Sequence, residues 1–174
     1  MNNIVTTEQL LKRRIRWLVG IFIFGLVVSG ATAIPLAWEA KWTAAWLGGD
    51  GSPATLSSFQ TWLWRINDAL HFASKAYPFL AYGTDWLAFG HFVIALAFIG
   101  AWRDPVRNLW LFDFGLLACA LVIPYALVFG AIREIPFGWR LVDCSFGLLG
   151  AVPLALARRY ARQLQEDQSS SSPR

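Results

Sequence analysis

Four apolar stretches, each near the roughly 20 residues a helix needs to cross a bilayer, dominate this 174-residue chain. They run from Trp17 to Trp38, from about Asp85 to Trp102, from Leu109 to Ile132 and from about Phe137 to Ala157. In lipid every backbone N–H and C=O must be satisfied inside the protein, and segments of this length do so as helices. The expected fold is therefore an all-α membrane protein, a four-transmembrane-helix bundle. It occupies one domain, residues 1–162, with a disordered polar tail over 163–174. Trp17, Trp38, Trp86, Trp102, Trp110 and Trp139 bracket the spans as an aromatic belt requires.

Charge supplies the orientation. The formal net charge is +4, but the cations are clustered at span ends. Lys12, Arg13, Arg14 and Arg16 precede the first span, Arg103 and Arg107 occupy the second link, and Arg158, Arg159 and Arg162 follow the fourth. With both termini cytoplasmic, ten of the fifteen basic residues fall inside and five outside, as the positive-inside rule demands. The basic excess thus reads as a topology signal with possible anionic-lipid contact, and nucleic acid is not an expected partner. A basic run, an apolar run and Ala31-Thr32-Ala33 also fit a cleaved signal peptide. The apolar run that continues through Ile34, Pro35 and Leu36 to Trp38 favours a retained span instead.

The loops add detail. Thr6 with Gln9 fits a capping box, so a short basic helix should lead directly into the first span. Arg103 to Asn108 forms a tight link between antiparallel neighbours. The long connection, Glu39 to Thr84, breaks at Gly48-Gly49-Asp50-Gly51-Ser52-Pro53. Beyond the break, Phe59, Trp62, Leu63, Ile66 and Leu70 recur at helical spacing, with Ser57 or Ser58 as cap. This predicts an extracytoplasmic amphipathic helix between the first two spans, lying on the interface or lidding the bundle.

Polar residues inside apolar spans are costly and usually face one another or a wet cavity. Counting at 1.5 Å per residue, His91, Tyr125 and Asp143 each lie about 9–11 Å below the outer boundary. Asp85, Arg133, Glu134 and Arg140 form a layer further out, and Arg140 and Asp143 are spaced i, i+3 to pair on one face. Pro124 beside Tyr125 should kink the third span. An outward-facing polar pocket results, with His91, Tyr125, Asp143, Arg140, Asp85 and Arg133 as candidate ligand-binding residues. His91 and Asp143 are also the candidates for acid–base catalysis, against a reading of His91 as a neutral, hydrogen-bonded packing residue. Asp113, nearer the cytoplasmic face, is expected to anchor the helix end through Arg103, Arg107 or Asn108. Cys119 and Cys144 lie in apolar spans without metal-ligand spacing and read as small core residues. With two histidines, one of them His71 in the outer loop, neither a metal site nor any other cofactor is expected.

The segment Tyr77-Pro78-Phe79-Leu80-Ala81-Tyr82-Gly83-Thr84-Asp85-Trp86-Leu87, with Arg103-Asp104-Pro105-Val106-Arg107-Asn108 and Trp139-Arg140-Leu141-Val142-Asp143-Cys144, resembles uncharacterised bacterial four-helix inner-membrane proteins. That resemblance covers roughly the last hundred residues and implies a location in the bacterial cytoplasmic membrane, with no activity attached. In architecture alone, four spans with buried acids are similar to the sterol-isomerase-like membrane fold. Three functions follow as expectations. The first is an accessory protein whose polar pocket binds a small amphiphile, a lipid headgroup or a partner membrane-protein segment. The second is a structural or assembly subunit of a membrane complex. The third is a small membrane enzyme using His91 and Asp143 on a lipid-like substrate.

Overall fold

The computed structural model describes residues 2–47 and 56–171, with side chains from 8 to 47 and from 56 to 170. Among these residues the chain is helical and contains no strand. The helices are α1 (Asn2–Ala33), α2 (Leu36–Leu47), α3 (Ser58–Ala76), α4 (Tyr82–Arg103), α5 (Leu109–Ile132) and α6 (Phe137–Ser171), with a 3-10 turn at Pro78–Ala81 before α4. Four segments are long and apolar enough to cross a membrane: Glu8–Ala33, Pro78–Arg103, Leu109–Ile132 and Phe137–Ser170. Their surfaces match that use. Among the described residues no polar or charged residue is buried, whereas Trp17, Phe24, Leu117, Leu149 and many other large apolar side chains are exposed. Water would not tolerate so much apolar surface, but lipid does. The protein is a multi-pass membrane protein.

Three expected boundaries shift, each for a local reason. The first span ends at Ala33, not Trp38, because Pro35 keeps the residue before it out of helical geometry. The Pro35 carbonyl then accepts from the Trp38 and Glu39 amides and opens α2. At the other end α1 already begins at Asn2, so Thr6 falls inside the helix rather than at its cap; its side chain lies outside the described residues. The stretch 163–171, expected to be disordered, continues α6. Gln and Glu are good helix formers, and the fully buried Leu164 ties this extension to the core. The expected break at Gly48–Pro53 lies outside the described residues.

The expected α3 cap and the burial of both cysteines hold. Ser57 caps α3 by accepting from the Gln60 amide, while the Gln60 side chain accepts from the Ser57 amide. That reciprocal pair satisfies two otherwise orphan donors at the helix start. Pro124 sits within a continuous α5. Cys119 and Cys144 are both buried and free.

The chain divides into two compact units, Met1–Gly25 with Ala95–Arg174, and Leu26–Ile94. In the first, Ile15, Val19, Phe98, Phe112, Leu154 and Leu164 are fully buried, and the Phe22 and Phe98 rings meet at 4.7 Å. Helices α5 and α6 approach closely where Gly147 faces the Cys119 carbonyl; a Cβ on Gly147 would come within 2.5 Å of that oxygen. In the second unit α2 packs on α3, and Gly30 of α1 lies against His91 and Ala88 of α4.

The turn between α5 and α6 is built tightly. The Ile135 amide donates to the Gly130 carbonyl and the Glu134 amide to the Ala131 carbonyl, the paired pattern of a Schellman end. Glu134 occupies its left-handed position with φ of 56°, where glycine is usual. Glu134→Gly removes that steric strain and is expected to stabilise the protein by about 1 kcal/mol, less some unfolded-state entropy. Thermal unfolding in detergent checks this; an unchanged or lower midpoint contradicts it.

Candidate functional site

The residues expected to form an outer polar pocket divide between the two units. Asp85 and His91 belong to Leu26–Ile94, and Tyr125, Arg133, Arg140 and Asp143 to the other unit. His91 is half-buried. Its Nδ1 lies 2.8 Å from the Leu87 carbonyl, one turn earlier on α4. A carbonyl only accepts, so Nδ1 carries the proton, and in the neutral ring Nε2 is left as an acceptor. The ring's anchor is therefore its own helix, and Gly30 leaves room for its Cβ.

Arg140 and Asp143 do not pair. Among the described residues the ion pairs are Lys12–Glu8 and Arg158–Asp113. Helical side chains lean toward the helix N-terminus, so Arg140 leans into the preceding turn and away from Asp143. There its Nε donates to the Ile135 carbonyl at 2.7 Å, and its stem lies over Gly130. Asp143 stays half-buried and makes no ion pair or hydrogen bond with another described residue. Tyr125 is 65% exposed with its ring 4.4 Å from that of Phe129, and Arg133 and Asp85 are exposed.

Asp113 also has a different partner from those expected. Its carboxylate takes Nε–H of Arg158, which joins α5 to α6. Asn108, one of its expected partners, instead donates its side-chain amide to the Gly100 and Asp104 carbonyls and closes the α4–α5 link. Both Asp113 and Arg140 are thus occupied in holding helices and turns together.

A concavity lies on α1, at the basic end of the helix. It is an open groove of about 860 Å³. Lys12, Arg13 and Arg16 line its polar end, and Trp17, Gly20, Ile21 and Phe24 continue the wall along the same stripe of α1, with Trp102 of α4 beside it. The order follows from helical spacing, because positions three and four apart share a face. Cations thus give way to a mixed aromatic and aliphatic surface along one line. Lys12 is paired with Glu8 at 2.7 Å, but Arg13, Arg14 and Arg16 have no acidic partner among the described residues. Aromatic rings hold two of them: Arg16 lies 5.4 Å over the Trp102 ring and Arg14 5.8 Å over that of Tyr160. A Cβ added to Gly20 would meet nothing within 4 Å, so the groove is open at its middle.

In sequence the basic run reads as a topology signal with anionic-lipid contact, but that reading placed no groove there. The signal was present in the i, i+3, i+4 order of Arg13, Arg16, Trp17, Gly20 and Phe24. Only the fold supplies Trp102. Comparison with family models, with curated proteins and with solved structures finds no match.

Proposed function

We propose that the protein is an accessory, amphiphile-binding protein of the bacterial cytoplasmic membrane, with both termini inside and the α1 groove as its binding site. The observation that carries this reading is the groove itself, in which unpaired arginines stand above a continuous aromatic and aliphatic wall. An anionic headgroup matches the first part and an acyl chain the second. The positive-inside distribution supports the orientation, and the sequence resemblance supports the bacterial membrane. The site is thereby moved from the outer polar layer to the basic end of α1. Helix α3 then serves as the extracytoplasmic amphipathic segment.

A structural or assembly role is the second reading. The Asp113–Arg158 bridge and the Arg140 clamp on Ile135 support it, since both use charge to fix helix packing.

Each arginine near a surface of anionic lipid contributes about 1 kcal/mol. The protein reconstituted in vesicles of equal phosphatidylglycerol and phosphatidylethanolamine, then gently extracted, is expected to retain the anionic lipid in about fivefold excess. Lipid mass spectrometry of the extract measures it. Retention at the vesicle ratio overturns the reading.

A further inference from the structure

A second, smaller groove of about 490 Å³ runs beside the first on α1. Leu10, Arg14 and Leu18 line it from α1, and Leu156 and Tyr160 from α6. Arg13 and Trp17 line both grooves, so one i, i+4 ridge of α1 separates them. Each groove carries its own arginine clamped to an aromatic ring, Arg16 on Trp102 in the first and Arg14 on Tyr160 in the second. The unpaired Arg13 stands between them.

From the amphiphile-binding reading on which this rests, we infer that the ligand is a two-chain anionic glycerophospholipid straddling α1. Its phosphate sits at Arg13; one chain follows the first groove past Trp17 to Phe24, and the other enters the second groove between Leu18 and Leu156. The length of the first groove suits a bilayer lipid in place. Arg13 to Phe24 spans eleven residues, roughly 16 Å at 1.5 Å each, about the half-thickness of a hydrocarbon core. The charges suit it too. Three arginines clustered around one ridge answer a single compact phosphate better than a zwitterionic headgroup, whose own cation they would repel. A one-chain amphiphile would fill only one of the two grooves.

Native mass spectrometry of delipidated, detergent-solubilised protein, given equal amounts of dioleoyl phosphatidate and oleoyl lysophosphatidate, tests this. The two-chain lipid is expected to form the adduct in roughly fivefold or greater excess, because its second chain buries additional methylenes. Leu156→Trp, at a position 39% exposed, should fill the second groove and abolish the preference while leaving lysophosphatidate binding in place. Leu156→Phe, a smaller intrusion into the same groove, does the same if the tryptophan variant does not fold. Equal adducts in the wild type, or a preference that survives both variants, would overturn the two-chain assignment alone. No adduct with either lipid would overturn the amphiphile-binding reading and this inference with it.

Discussion

Gly147→Ala should destabilise the protein by about 2–3 kcal/mol, and Gly147→Val should prevent recovery of a monodisperse species. The reason is a contact between backbones. A Cβ at this position falls 2.5 Å from the Cys119 carbonyl oxygen and 3.5 Å from its carbon, so no rotamer change relieves it. Helix α6 would have to move away from α5 by close to 1 Å. That separation would loosen the neighbouring contact of Gly150 with Cys119 Sγ and Phe22. In a membrane this matters more than area burial suggests, because lipid is as apolar as the residues that line the interface. Association there rests on close van der Waals packing, which small residues permit. Thermal unfolding in detergent measures the effect. For a chain of this size the midpoint should fall by roughly 5–10 °C for the alanine variant. Gly25, where an added Cβ meets nothing within 4 Å, is the control: Gly25→Ala should leave the midpoint unchanged or higher.

The spans were legible in the sequence because length and hydropathy alone decide them. Leu109–Ile132 was read to the residue, and the start of α6 at Phe137 and the Ser57 cap also appear as expected. What failed was specific. The break before α2 was hidden because Ile34, Pro35 and Leu36 are all apolar, and hydropathy does not see the conformational restriction of Pro35. The helical run from Gln163 was hidden because its composition is polar, while the fold ties it down through the buried Leu164 and a hydrogen bond from Gln168 to Glu8.

The candidate site was less legible still. Depth along a helix is a sum over residues, but azimuth depends on packing that the sequence does not state. Arg140 and Asp143 share a face by spacing, yet the turn at Ile135 captures Arg140. Asp113 finds Arg158, forty-five residues away, in preference to its sequence neighbours. The groove needed Trp102 and Tyr160, which only the fold brings to α1.

The second large effect is expected at Gly20, and it separates ligand binding from folding. Gly20 lies one turn from Trp17 and one from Phe24, at the middle of the apolar wall. A Cβ there meets no atom within 4 Å, so the side chain of a leucine starts in open space within the groove. It also improves helix propensity by about 0.8 kcal/mol over glycine. Most substitutions in a binding groove confound lost contacts with lost stability, whereas this one adds bulk only where an acyl chain would lie. Anionic lipid retained by Gly20→Leu should therefore drop about tenfold, the loss of roughly 1.4 kcal/mol of binding, while the fold keeps or gains stability.

Paired measurement of thermal unfolding and retained anionic lipid on Gly20→Leu and the wild type, extracted from the same vesicles, is the most direct test. The groove account predicts an equal or higher unfolding midpoint with lipid retention reduced about tenfold. An equally stable variant that holds as much anionic lipid as the wild type would contradict it.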